Sequence, residues 1–113
     1  MKNTFDEKIL EEAYQWINQD KKKVVLATVI QTWGSSPRPV GSYMIVNDSG
    51  DFSGSVSGGC VEGEVVRQCI DLFQENINHK KIDFKVSNES AWSVGLACGG
   101  EIQILLEKVV NED

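Results

Sequence analysis

Histidine is nearly absent from this chain of 113 residues, which carries only His79. Its place at the end of a predicted helix, beside Lys80, suits carbonyl capping or contact with solvent. That leaves no cysteine–histidine dyad, and a closed zinc site lacks its ligands. Positive charge is scarce as well: 11 Lys and Arg stand against 17 Asp and Glu, a net charge of −6. Nucleic acid is excluded as a partner, because neutralising phosphates takes a basic face. A small local anion site stays open, since backbone N–H groups can build one. The only basic run, Lys21-Lys22-Lys23, reads as a solvated helix end rather than a binding patch. No apolar run approaches the length of a membrane span, and no secretory apolar region stands at the N-terminus. Three cysteines, an odd number without paired spacing, make no disulfide framework. A reducing, cytoplasmic setting is expected. The glycine-rich stretches lack a Gly-Lys-Ser/Thr ending and Gly-x-Gly-x-x-Gly spacing, so ATP and NAD sites are set aside.

What the chain does have is hydrophobic patterning for one domain over residues 1–113, without repeats, low-complexity stretches or linkers. Thr4 and Glu7 form a capping box ahead of Phe5, Ile9, Ala13, Trp16 and Ile17 at helical spacing, predicting a helix over residues 5–19. The β-branched run from Val24 to Ile30 suits a central strand buried on both faces. Pro37 and Pro39 make residues 35–41 a stiff loop. Tyr43 to Val46 and Asp51 to Val56 flank the turn residues Asn47-Asp48-Ser49-Gly50. Val61, Val65, Cys69 and Phe73 mark a second helix to about Asn76, with Cys69 on its core stripe. Glu62 and Glu64 occupy its first turn, and Lys80 and Lys81 follow its end. Ile82, Phe84 and Val86 alternate as a strand with one wet face. Residues 87–100 are mostly loop, and Ile102, Ile104 and Leu106 begin a last strand. The fold class is therefore α/β in the α+β sense: one mixed sheet of about five strands with two helices packed on it.

Chemistry concentrates in two glycine-flanked cysteines, Gly58-Gly59-Cys60 and Cys98-Gly99-Gly100. Glycine admits positive φ and close approach of a ligand, which a core cysteine does not need. Cys60 falls at the start of the second helix, where orphan N–H groups and the helix dipole favour a thiolate. The plainer alternative is a small buried residue at a tight turn. Arg38, held between two prolines, suits bidentate anion recognition, or is an ordinary surface arginine. Glu62 and Glu101 can orient a ligand or act as acid–base groups, although Glu62 reads more simply as dipole compensation. Ser35, Ser36, Ser55 and Ser57 lack a general base, which argues against a serine nucleophile. Trp33 and Trp92 fit core or interface positions.

Gly34-Ser35-Ser36-Pro37-Arg38, then Gly41 and Met44, then the stretch Gly54 to Glu62, then Cys98-Gly99-Gly100-Glu101, resemble the N-terminal domain of the XdhC/CoxI family. The resemblance runs from about Phe5 to Glu107. It implies an accessory protein that binds molybdenum cofactor, promotes its sulfuration and passes it to a xanthine dehydrogenase or carbon monoxide dehydrogenase type of molybdenum hydroxylase. By position it makes Cys60 and Cys98 the candidate thiols, for persulfide chemistry or for ligation of the cofactor's molybdenum. It also makes Arg38, Ser57, Gly58, Gly59, Glu62, Gly99 and Gly100 candidate cofactor contacts. Longer family members continue into a Rossmann-like domain that this sequence lacks, so that role is expected to be absent or supplied by another polypeptide. Two other classes of function remain: a thiol-based sulfur-transfer enzyme fed by a cysteine desulfurase, and a non-catalytic regulatory module, possible as a homodimer, working with a separate Rossmann-domain partner.

Overall fold

The computed structural model describes residues 4–33, 39–57, 61–85 and 101–109, and within these leaves aside the side chains of residues 4–7, 33 and 85. The elements are helix α1 (Thr4–Asn18), strands β1 (Val24–Trp33), β2 (Tyr43–Asn47) and β3 (Phe52–Gly54), helix α2 (Glu62–Gln74), and strands β4 (His79–Lys85) and β5 (Glu101–Val109). The strands form one sheet in the order β3-β2-β1-β5-β4. The expected single sheet with two helices is thus present. Its pairing departs from the expectation of a mixed sheet, since every neighbouring pair is antiparallel. The reason is connectivity. A parallel neighbour needs a crossover helix, and α2 instead joins the two outer strands, β3 and β4, without placing them side by side.

The β-branched run does lie at the centre of the sheet, and alternate residues of β1 serve opposite faces. Val25, Ala27 and Val29 join Met44, Val46, Ile104 and Leu106 beneath Val65, Cys69 and Leu72 of α2. Val24 joins Ile45 beneath Ile9, Ala13 and Trp16 of α1, with Leu26 and Tyr43 packed alongside. Burial on both faces explains why this strand needs apolar residues at consecutive positions. β1 extends to Trp33, beyond the predicted end, because it pairs with β5 past the reach of β2. A bulge between Val29 and Gln31 inserts Ile30 into that pairing.

Asn47 closes the β2–β3 hairpin. Its buried side-chain oxygen accepts hydrogen bonds from the Ser49 and Asp51 N–H groups at 2.9 and 3.1 Å, an Asx turn of the kind the sequence suggests. His79 is not at a helix end as expected. It opens β4 opposite Glu107, because α2 stops at Gln74 and the mostly exposed residues 75–78 carry the chain to the sheet edge. Among the described residues no helix is long and apolar enough to cross a membrane.

Candidate functional site

The antiparallel register fixes the direction of every strand. β1, β3 and β4 run the same way, and β2 and β5 run against them. Two of the segments singled out in the sequence are attached at one end of that sheet. Residues 34–38 follow Trp33, the last residue of β1. Residues 58–60 instead lie between Ser57, three residues past the end of β3 at Gly54, and Val61 at the start of α2. Residues 86–100 connect Lys85 of β4 to Glu101 of β5, and Glu101 is the register partner of both Lys85 and Trp33. Of the candidate residues, Ser57 and Glu62 can be described. Arg38, Gly58, Gly59, Cys60, Cys98, Gly99 and Gly100 lie outside the described residues, as does Trp92.

The chain leaves the sheet at Gly54, whose φ of +93° belongs to the left-handed region. A Cβ there would sit 2.6 Å from the Tyr43 carbonyl oxygen and 3.0 Å from Ile9 Cδ1. Only glycine permits both that torsion and that approach. Beyond this turn Ser55 N–H donates to the Tyr43 carbonyl at 3.2 Å, and Val56 enters the α2 core.

Glu62 then ties the exit from β3 to the start of α2. Its Oε2 accepts from the Ser55 hydroxyl at 2.6 Å and from the Val56 and Ser57 N–H groups at 3.0 and 2.9 Å. Its Oε1 accepts from the Ser57 hydroxyl at 2.6 Å. Ser57 Oγ in turn accepts from Val61 N–H at 2.8 Å. The Ser57 hydroxyl is therefore used in both directions, donating to Glu62 and accepting from the residue before the helix. Val61 itself makes no side-chain cap; the Ser57 hydroxyl oxygen instead satisfies the backbone N–H of this N-cap residue, the donor that the last residue of a capping box ordinarily takes.

The electrostatics follow from this geometry. Burial by itself would raise the Glu62 pKa, since Glu62 is only 7% exposed. The Ser55 and Ser57 hydroxyls and the Ser57 and Val56 N–H groups more than offset that cost and hold the value at about 2. Hydrogen bonds to a carboxylate act in this direction, and the first-turn position adds favourable dipole. The carboxylate stays ionised at neutral pH and is committed to backbone and hydroxyl donors. This gives Glu62 a specific structural task, holding Ser57 and Val61 on either side of residues 58–60.

The expectation of dipole compensation captured the charge of Glu62 but not its partners. Ser55, weighed only as a nucleophile, and Ser57, weighed also as a cofactor contact, matter here as donors to Glu62. The readable signal was two hydroxyl residues and a glycine pair just ahead of a carboxylate that opens a helix.

Cys69 lies buried between α2 and the sheet, and burial pushes its thiol up to about 12. It is a core residue, as its place on the helical stripe predicted. Among the described residues no three His, Cys, Asp or Glu side chains converge as metal ligands.

Comparison with known proteins adds an independent line. Residues 17–83 match the model of the XdhC and CoxI family. The chain is 31% identical over 96 residues to a Bacillus subtilis protein described as a probable subunit of xanthine dehydrogenase, covering 83% of this chain and 29% of that protein. It is 32% identical over 89 residues to the molybdenum cofactor insertion chaperone PaoD of Escherichia coli, covering 78% of this chain and 27% of that one. A crystal structure described as a xanthine dehydrogenase from Bacillus halodurans superposes with a TM-score of 0.72 at 30% identity, over 89% of this chain and 30% of the other. The chain thus spans less than a third of the length of each of these three proteins.

Proposed function

The chain belongs to the XdhC and CoxI family, and on that basis we propose that it is a molybdenum cofactor chaperone for a molybdenum hydroxylase of the xanthine dehydrogenase type. The cofactor is its cargo rather than a resident group. The single observation that carries the reading is the Ser57–Glu62 clamp. A buried carboxylate and a doubly used hydroxyl hold the two ends of the Gly58-Gly59-Cys60 segment at the start of α2. A core turn has no need of four hydrogen bonds to one buried carboxylate. A segment that must present bare backbone and a thiol to a small cargo does. Further support comes from PaoD, a relative that is itself a molybdenum cofactor insertion chaperone.

In this reading Cys60 and Cys98 face the cargo, Arg38 pairs with its phosphate, and the glycine segments 58–59 and 99–100 allow close approach. Sulfuration is the finer part of the proposal. A cysteine desulfurase persulfide gives its outer sulfur to the thiolate of Cys60 or Cys98. The desulfurase recovers its own thiol; the other thiolate of the Cys60 and Cys98 pair then attacks the inner sulfur of the new persulfide, forming a disulfide and releasing the outer sulfur as sulfide for the cargo, in exchange for an oxygen ligand that leaves as water. A Rossmann-like domain, in the same polypeptide or another, and the apoenzyme are the partners, and the cytoplasm is the compartment.

The test is titration with molybdopterin of wild type, Cys60→Ser and Cys98→Ser. Tight binding by wild type and a loss of about tenfold or more in each variant, the size expected when a soft-donor or charge-assisted contact is removed, supports the reading. Equal binding by all three removes the thiols from the function. Mass spectrometry after incubation with a desulfurase tests the sulfur step: an added sulfur on either cysteine supports it, and no adduct on either rejects it.

A further inference from the structure

At the opposite end of β1, about 30 Å from Trp33 at roughly 3.3 Å per residue, the fold forms a half-open cavity of about 340 Å³. Three lysines stand around it: Lys22 and Lys23 from the turn between α1 and β1, and Lys108 from the end of β5. The rest of the wall is apolar, formed by Ile17 of α1, Val24 of β1, Phe73 of α2 and Val109 of β5. Among the described residues the lining holds no acidic side chain, on a chain whose net charge is −6.

The cations are not all consumed by the fold. Lys108 Nζ donates to the Glu75 carbonyl at the end of α2, at 2.6 Å, and Lys22 Nζ donates to Ser49 Oγ. Lys23 is exposed, and its ammonium makes no hydrogen bond or ion pair among the described residues. Its backbone is nevertheless held, because its carbonyl accepts from Asp48 N–H at 3.1 Å. The neighbouring Glu75 carboxylate lies toward Lys80, at 3.8 Å. Lys21, at φ 55°, turns the chain after α1, and Lys22 N–H returns to the Trp16 carbonyl at 2.8 Å. The basic run is thus folded over the cavity instead of trailing into solvent.

We propose that this cavity is a binding site for a small aromatic phosphate monoester, its ring against Phe73 and its phosphate between Lys22, Lys23 and Lys108. The volume lies at the lower end of the range for small-molecule pockets, which are apolar with a few placed polar groups. Lysine binds phosphate as a point charge, and a phosphate monoester brings close to two negative charges at neutral pH. Apolar walls then select for a ring over the bare ion. The proposal does not depend on the cofactor reading, since among the described residues the cavity wall shares no residue with the candidate cofactor contacts.

The test is NMR titration of the 113-residue chain with 1-naphthyl phosphate, alongside inorganic phosphate and 1-naphthol. Saturable shifts at Lys22, Lys23, Phe73 and Lys108, with both control compounds much weaker, support the site. Lys23→Gln, at an exposed position, weakens binding by about tenfold, as expected for one charge-assisted contact; Lys23→Glu weakens it further, and both variants keep the wild-type spectrum elsewhere. No saturable binding, shifts confined to the other end of the sheet, equal binding of inorganic phosphate, or Lys23→Glu binding as wild type each overturns the proposal. Because molybdopterin also carries a phosphate monoester, it is titrated into Lys23→Glu as well as Cys60→Ser and Cys98→Ser: a loss confined to the cysteine variants reads the cofactor proposal apart from this cavity, so either can fail without the other.

Discussion

Glu62 is where the chemistry of single residues decides most. Its carboxylate is ordinarily near 4.5 and is held at about 2 in the fold. A depressed folded pKa gives stability that is fully present above the unfolded value. That stability is lost as the pH falls from about 4.5 through about 2. The difference corresponds to about 3 kcal/mol as an order of magnitude. Urea denaturation between about pH 2 and pH 7 should show this acid limb, and Glu62→Gln should flatten it. At neutral pH Glu62→Gln keeps an acceptor for the N–H groups and should cost about 1–2 kcal/mol, whereas Glu62→Ala strands buried donors and should cost about 3 kcal/mol or more. Stability independent of pH in this window would contradict the buried ionised carboxylate. Cys69 makes a second residue-scale prediction. With its thiol pushed up to about 12 and fully buried, it should resist iodoacetamide in the native chain at about pH 8 and react once unfolded. Mass mapping of the alkylated peptides reads this directly. The role of Cys69 was legible from its place on a helical stripe. That of Glu62 was only half legible, because a sequence gives the charge at a helix start but not the upstream serines that fold back onto it.

Elements show where hydrophobic pattern is a sufficient guide and where it fails. Val24 to Ile30 announced a strand covered on both faces, and β1 is that strand. The period of Val65, Cys69 and Phe73 likewise located α2. Boundaries and pairing direction were less legible. β1 runs on to Trp33 because β5 offers it partners, and no local signal in Gln31-Thr32-Trp33 records that. Lys80 and Lys81 suited a helix C-terminus by charge, yet they lie in β4, ahead of the alternating Ile82 and Phe84 at the sheet edge. Lysines on an edge strand also discourage pairing with another chain. Gly54 carries a prediction at this scale. Gly54→Ala forces a Cβ against the Tyr43 carbonyl at a left-handed φ, and should destabilise the chain by about 2 kcal/mol or more. Gly50→Ala has the same sign of φ but no atom within 4 Å, so it should cost less, about 1 kcal/mol. Thermal melts of the two variants compare crowding plus torsion with torsion alone, and equal losses would remove the steric part of the argument.

Across the whole molecule, the antiparallel register sorts the chemistry toward two ends of one sheet. The attachments of residues 34–38 and 86–100 lie at one end, and the lysine-lined cavity lies at the other. A shared site was expected from the paired glycine–cysteine motifs; the chain ends flanking residues 34–38 and 86–100 meet at Trp33, Glu101 and Lys85, while Cys60 and Cys98 lie outside the described residues. The cavity was not foreseen. Lys22, Phe73 and Lys108 come from three distant stretches, and a run of three lysines read alone looks like a solvated helix end. The central claim is that Cys60 and Cys98 act at one shared site. Its most direct test is intramolecular crosslinking of the folded Cys69→Ser protein with a short bis-alkylating thiol reagent, read by peptide mass mapping. The account predicts a Cys60–Cys98 crosslink in the monomer, suppressed by prior addition of molybdopterin. Two separately capped thiols with no bridge between them would contradict it.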